Sequence, residues 1–226
     1  MARTVTLASL QTQVRQRADM VGSEFITNVG ELDEYVNQSV AELYDLLVQA
    51  DEDYYTTSAS RTATNGVASV PTDFYKLRSV DVVAETGLPI QLDPVPWGER
   101  ELYQASPFGY LAGTPRGYVL RSSSIELLPH PSGSYTFTLW YVPAPPRLDA
   151  GGTITFDGNA GWEEYVVVDA AYKCLFKEES FEACDRLLAQ KAALRQRILS
   201  HHERDLAPKR VTRRRLSRES RLWRWT

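Results

Sequence analysis

The three histidines of this chain are side chains that could act as a catalytic base or as metal ligands. His130 lies between Pro129 and Pro131, and no serine or cysteine nucleophile motif accompanies it, so we interpret it as a turn residue. His201 and His202 are adjacent in a helical pattern, where neighbouring side chains point about 100° apart and share a metal ion poorly. The chain has no dinucleotide-binding, Walker A, metalloprotease, serine-hydrolase or CxxC motif. The sequence therefore predicts no enzyme, no metal site and no cofactor.

Two acidic clusters lie at predicted helix boundaries. Glu163 and Glu164 would occupy the first turn of a helix, where carboxylates favour the positive end of the helix dipole. The run Asp51-Glu52-Asp53 could bind a cation, but no glycine-centred loop with further ligands follows it. We therefore interpret this run as solvated charge.

Aromatic residues in the middle of the chain could stack on nucleic-acid bases. The segment around them is acidic or neutral and has no interleaved Lys or Arg, which single-strand binders use to follow the phosphates. Packing in the core or at a subunit interface is therefore the favoured interpretation. These residues are Tyr54, Tyr55, Phe74, Tyr75, Tyr103, Phe108 and Tyr110.

The C-terminal segment carries an unusual charge. Residues 204–226 hold nine of the 25 Lys and Arg residues against two acids, a net charge of +7 that leaves −11 on residues 1–203. Arginine makes bidentate and stacking contacts that lysine cannot match, and tryptophan is typical of buried anchors. We expect this arm to dock on acidic protein or on phosphate; a merely solubilising tail is the alternative. The predicted contact residues are Lys209, Arg210, Arg213, Arg214, Arg215, Arg218, Arg221, Trp223 and Trp225.

Proline and glycine divide the chain. Eleven of twelve prolines and eleven of thirteen glycines fall between Asp51 and Gly161, and both residue types disfavour helix interiors. The sequence predicts an α+β fold: a helical bundle of about four helices, interrupted by a β-rich insertion that forms a small sandwich or barrel, with an extended C-terminal arm. The predicted boundaries are 1–51 and 162–205 for the helical core, 52–161 for the β-rich insertion and 206–226 for the basic arm.

Hydrophobic periodicity places the helices. Thr6 can cap a first helix, and a second helix starting near Thr27 carries apolar residues at spacings of three and four. Residues 162–179 are apolar nearly all round, which predicts a helix buried on several sides, and a fourth helix runs over about 181–204. Cys174 and Cys184 lie in these last two helices, and we expect both to be small buried apolar side chains.

Alternation and turn residues place the strands. Asn65-Gly66 is a hairpin turn signal, because both residues accept positive φ. Aromatic and aliphatic residues alternate with polar ones over 134–142, and 118–121 and 124–128 indicate an adjacent pair.

Composition sets the broad class. With 226 residues, 43% hydrophobic and 24% charged, the chain is typical of a globular protein with a real core. No run of about 18 apolar residues offers a membrane span. The start, Met1-Ala2-Arg3-Thr4, lacks a signal-peptide pattern, so we expect synthesis in the cytoplasm.

Four stretches carry a family resemblance through their order and spacing. They are EYVNQSVAELYDLL at 34–47 with DYY at 53–55, VPTDFYKLRSVDV at 70–82, PRGYVLRSSSIELLPHPSGSYTFTLWYVPAPPRL at 115–148, and WEEYVVVDAAYKCLFKEE at 162–179. With these stretches the sequence resembles the head-to-tail adaptor (connector) proteins of tailed bacteriophages, including the type called tail tubular protein A.

The resemblance implies a structural protein of the virion without catalytic activity. It implies a ring, typically dodecameric, beneath the portal where capsid meets tail, with the portal protein and a tail or nozzle protein as partners. It also implies that the C-terminal segment reaches the portal. The apolar helix at 162–179 fits packing against a neighbouring subunit, with Trp162, Tyr165 and Tyr172 as candidate interface residues, although a monomer core could explain it too.

The charge division suits a DNA passage. Cationic walls would bind phosphate tightly and retard a moving duplex, whereas residues 1–203 are acidic. We therefore expect genomic DNA to pass through the channel without specific binding. The alternative function is a DNA-binding module that uses the basic arm.

Overall fold

The structure is a computed structural model with mixed α and β content, in agreement with the predicted class. It describes residues 3–22, 26–83, 87–104, 115–131, 133–145, 147–149, 152–156 and 162–206. Within this part of the chain there are five α-helices: α1 (Leu7–Arg17), α2 (Asp33–Ala50), α3 (Arg100–Gln104), α4 (Glu163–Lys177) and α5 (Phe181–Leu206). The strands there are β1 (Arg3–Thr6), β2 (Thr57–Thr64), β3 (Val67–Ser69), β4 (Phe74–Val83), β5 (Pro89–Gln91), β6 (Asp93–Pro94), β7 (Gly117–Arg121), β8 (Ser124–Leu128), β9 (Ser134–Pro143) and β10 (Thr153–Phe156).

The two N-terminal helices begin for different local reasons. Thr6 caps α1 as predicted, because its Oγ1 accepts the Ser9 N–H at 3.2 Å. The second helix does not start directly after Thr27: a π-helical turn over Asn28–Leu32 comes first, and the regular helix begins at Asp33. Gly30 has a φ of +97°, which no right-handed α-helix accommodates, so regular geometry starts beyond it.

Helix α4 is the centre of the helical part. It packs against α1, α2 and α5, and both cysteines are buried in the same core, as predicted. Most of its side chains are buried, in agreement with the apolar pattern. Phe176 is the exception in that pattern, since 56% of its surface is exposed.

The large sheet closes on itself almost completely. Its eight strands follow the order β5-β4-β9-β2-β3-β8-β7-β6. The two edge strands, β5 and β6, are separated in the chain by Leu92 alone, and the Leu92 N–H donates to the Val80 carbonyl at 2.8 Å. The same extended segment therefore lines both edges, so the sheet curls into a small barrel, one of the two predicted forms.

Local signals in this sheet match the sequence. Asn65 and Gly66 have φ of +50° and +81° in the turn that pairs Thr64 with Val67. Strand β9 pairs with both β2 and β4, and its alternate residues Phe137 and Leu139 are buried in the barrel. The Asn-Gly hairpin and the alternating strand are thus confirmed.

A second, two-stranded sheet joins the segment before α1 to a segment that precedes α4 in the sequence. Strand β1 pairs antiparallel with β10, with Thr4 opposite Thr155. Two tyrosine hydroxyls join α2 to the large sheet: Tyr44 donates to the Pro143 carbonyl at 2.6 Å, and Tyr75 donates to Asp45 at 2.8 Å.

Candidate assembly surfaces and the buried charge network

A buried network of charges joins three helices of the core. Asp169 of α4 has 1% of its side chain exposed and accepts hydrogen bonds from Lys173 at 2.6 Å and Lys191 at 2.5 Å. The hydroxyl of Ser39 on α2 donates to the same carboxylate at 2.7 Å. Glu42, also on α2, pairs with both lysines, at 3.1 and 2.7 Å. One carboxylate therefore ties α4 to α2 and α5, and each of its oxygens has a charged partner.

The network favours the ionised forms of both the Asp169 carboxylate and the Lys191 ammonium. Burial alone opposes ionisation of Asp169, but hydrogen bonds from Lys173, Lys191 and Ser39 outweigh it and lower the pKa of the carboxyl. Burial also opposes the charge of Lys191, and hydrogen bonds to Asp169 and Glu42 overcome it and raise the pKa of that ammonium. Such mutual compensation is typical of a structural buried ion pair.

Two of the three predicted interface residues lie inside this chain's own core. Trp162 is 4% exposed and faces Arg197 of α5, whose guanidinium carbon is 4.9 Å from the ring centroid. Tyr165 is 3% exposed, with the Lys191 ammonium 5.6 Å from its ring. Contacts within the chain account for the burial of both. Their part in a subunit interface stays a prediction, and they leave little surface for a second subunit.

Tyr172, the third of these residues, belongs to an aromatic surface where α4 turns into α5. Its ring lies 5.9 Å from that of Phe176, which lies 6.1 Å from that of Phe181. Phe176 and Phe181 are 56% and 57% exposed. We call these three residues, with the turn between the helices, the α4–α5 corner. It is the part of the predicted interface helix that still has apolar surface to offer.

Two acids of the run at the end of α2 pair with cations, so the interpretation as solvated charge is wrong for Glu52, whereas Asp53 keeps 85% of its side chain exposed. Glu52 accepts from Lys76 at 2.8 Å and from Arg78, and Arg78 also pairs with Asp53. Both cations lie on β4, whose path beside α2 the sequence pattern did not indicate. Asp51 accepts the backbone N–H of Tyr54 at 3.1 Å. Glu52 and Asp53 therefore connect the end of α2 to β4, while Asp51 stabilises the turn that follows the helix.

The aromatic residues next to this run contact one another, but Tyr54 and Tyr75, which is 46% exposed, are not core residues of the single chain, and their packing at a subunit interface stays a prediction. Tyr44 contacts Tyr55 and Tyr75 edge to face, at centroid distances of 5.6 and 6.4 Å. Tyr54, which is 63% exposed, stands against Tyr55 at 5.2 Å. From the same predicted group, Phe108 and Tyr110 lie outside the described residues.

His130, the first of the three histidines considered as chemical candidates, lies just after strand β8 of the barrel. His130 Nε2 lies 2.8 Å from Oε1 of the buried Glu126, which also pairs with Arg121 at 2.7 Å. The imidazole ring of His130 covers Gly66, and a Cβ added to Gly66 would lie 2.8 Å from Cδ2 of that ring. His130 is thus packed against the hairpin turn, as a turn residue would be.

His201 and His202 belong to the last turns of α5. The arm residues from Lys209 to Trp225 lie outside the described residues. Among the residues that are described, no group of three His, Cys, Asp or Glu side chains could hold a metal ion, and no helix has the length and apolarity needed to cross a bilayer.

The described residues thus form a helical core with a buried charge network, a nearly closed sheet and an exposed aromatic corner. The chain belongs to the SU10 adaptor protein family, whose model matches residues 5–219. This is a family of structural phage proteins, and the expected adaptor class is confirmed. A structural phage adaptor is a component of the virion and contacts portal and tail proteins. A search of the curated proteins finds no match.

Proposed function

We propose that this adaptor forms a ring beneath the portal, joins the capsid to the tail and lines the passage for DNA. The family match over residues 5–219 carries this proposal. A dodecamer is the expected ring, and the arm of residues 206–226 is its anchor on the portal, with a tail or nozzle protein on the opposite side. The protein acts without catalysis, as a joint between two assemblies.

The distribution of charge supports the passage. The chain outside residues 204–226 has a net charge of −11, and an acidic wall repels phosphates and lets a duplex slide. Basic residues are concentrated in the arm, where they serve contact with protein. Arginines would set the register of the arm, and Trp223 and Trp225 would fill pockets of the portal.

The two separate apolar clusters of the chain support a division of labour between its parts. Buried residues of the four long helices form one apolar cluster, and buried residues of the barrel form another. We propose that 1–51 and 162–205 act as the helical core, 52–161 as the β-rich insertion and 206–226 as the arm. The ring contacts then belong to the helical core, while the barrel faces another component.

Truncation after Leu206 tests the anchor. We expect the shortened chain to fold, since every residue of the helical core cluster, up to Ile198, precedes the cut, and to lose the joining of portal-bearing heads to tails. The matched control is the full chain with Trp223 and Trp225 changed to Ser, which keeps the charge and removes the two apolar anchors. If the truncated chain joins heads as well as the full chain, the arm is not the anchor.

The charge of +7 on residues 204–226 favours one rival, a DNA-binding module. That function predicts duplex binding that falls steeply with salt and disappears on truncation, while head joining is unaffected. No measurable duplex binding at low salt eliminates the rival. Mass measurement of the protein alone and with portal then tests the ring itself, because an adaptor must form a closed oligomer on the portal.

A further inference from the structure

The α4–α5 corner exposes a contiguous group of aromatic side chains to solvent. Phe176 and Phe181 each keep more than half of their surface in water, and with Tyr172 their rings form a continuous chain. Contiguous exposed apolar groups of this kind, rimmed by polar residues, mark interaction sites. Beside Phe181 the surface forms an open depression of about 480 Å³, which Glu179, Glu182 and the side chain of Arg186 help to line.

The rim of the corner is acidic. Glu178 and Glu179 follow α4 directly, and Glu182 and Asp185 lie on the first turns of α5. Lys177, the cation nearest in sequence, is engaged by Glu31 at 2.6 Å. Arg186 also lines the depression, so these four acids still outnumber the cation there. The corner thus combines aromatic faces with an excess of carboxylates, which suits a ligand that has both guanidinium groups and large apolar side chains.

One segment of this chain has that composition. Residues 207–226 contain eight Lys and Arg residues, with Trp223 and Trp225 near the end, against a single acid. We propose that the α4–α5 corner binds the segment 207–226 of a second copy of this chain. The proposal rests on the ring of the proposed function and adds a role for the arm, which links neighbouring subunits as well as reaching the portal.

The direction of α5 favours a second copy over the same chain, because the helix leads the segment away from its own corner. Helix α5 has 26 residues and carries the start of the segment about 39 Å away from its own corner. The 20 residues that follow reach at most about 70 Å when fully extended, so returning to the same corner would use more than half of that reach. A contact between two different surfaces of one chain repeats from copy to copy and can close into a ring.

Photo-crosslinking of the full chain tests the occupant directly. Phe176 is replaced by the photoreactive residue p-benzoylphenylalanine, and equal amounts of isotopically light and heavy chains are mixed, irradiated without portal and digested for mass spectrometry. We expect cross-links from position 176 to peptides within 207–226, as light–heavy pairs. The matched control places the same probe at Leu102, which is 73% exposed on the short helix α3 and should give no such product.

The acidic rim is tested in the same assay. Changing Glu178, Glu179 and Glu182 together to Gln keeps size and helix propensity, and circular dichroism verifies the fold. We expect about tenfold less cross-linked product, because three exposed charge contacts are lost.

Three outcomes overturn the proposal: cross-links only within one chain, cross-links to another part of a second copy, or none up to the solubility limit. None of them bears on portal docking, because the cross-linking is carried out without portal.

Discussion

Replacing Asp169 with asparagine tests whether the buried charge network holds the helical core together. Asparagine has nearly the same size, so no cavity forms, and its amide can still bond with Ser39, 2.7 Å away in the wild type. What it removes is the negative charge shared by Lys173 and Lys191, which are 18% and 24% exposed. The variant therefore isolates electrostatics from packing.

The structure sets the size of the effect. Removing one partner of a buried ion pair destabilises a protein by about 3–5 kcal/mol, because a buried charge is left uncompensated. Here both lysines keep Glu42 at 3.1 and 2.7 Å and can partly reach water. We therefore expect the lower end, a loss of about 3 kcal/mol in the free energy of unfolding for Asp169→Asn.

Equilibrium unfolding in urea measures this loss, and Glu42→Gln is the matched control. Glu42 belongs to the same network, but 42% of its side chain is exposed, so its loss should cost less than about 1 kcal/mol. The midpoint for Asp169→Asn should fall clearly below that of the control, with the same dependence on urea. If both variants lose the same small amount, the buried carboxylate does not hold α4 in place.

The pH dependence provides a second measurement. The folded-state pKa of Asp169 is lowered, so its stabilisation is complete above the unfolded-state pKa of roughly 3.9 and is lost as pH falls through the lower folded-state value. The stability difference between wild type and Asp169→Asn should therefore shrink as the solution is acidified below about pH 4. A difference that stays constant down to the lowest pH at which the protein folds would contradict the assignment.

Two further predictions concern the hairpin turn and the thiols. Gly66→Ala should destabilise the protein more than Gly133→Ala in thermal unfolding, because both have a φ of +81° but only at Gly66 would the Cβ meet His130; equal losses would show that the ring moves aside at no cost. Burial raises the pKa of Cys174 to about 11 and also raises that of Cys184, so a disulfide reagent at pH 8 should label neither thiol until denaturant is added, and rapid labelling of the folded protein would contradict their burial.

Local signals explain the elements that the sequence predicts. Thr6 caps its helix through its own side chain and a residue three positions later, and the Asn65-Gly66 turn needs only its own two backbone conformations. Each of these features is decided within a few residues. Thr27 was less informative because the nearby Gly30, with its φ of +97°, delays the regular helix.

Features that depend on distant residues could not be predicted in the same way. Strand β10 pairs with β1, which places Thr155 opposite Thr4. Neither short segment has a sequence pattern that identifies the other as its pairing partner. The sequence shows that Asp169 and Lys173 are four residues apart, a spacing that favours contact on a helix, but the bonds of Asp169 to Ser39 and Lys191 depend on how α4 packs against α2 and α5. A polar residue in a helix that is apolar all round was the available signal, because an ionised group in such a place needs charged partners.

The α4–α5 corner shows why an apolar pattern cannot separate a core from an interface. Phe176 and Tyr165 contribute equally to the pattern of α4, yet Phe176 is 56% exposed and Tyr165 is 3% exposed. Both positions select an apolar side chain if both are buried in the assembled state. An aromatic residue that the pattern predicts as core, and that the single chain leaves in water, is therefore the signal of a missing partner. In this family of adaptors we expect that partner to be another subunit, and the cross-linking experiment at position 176 identifies which part of it.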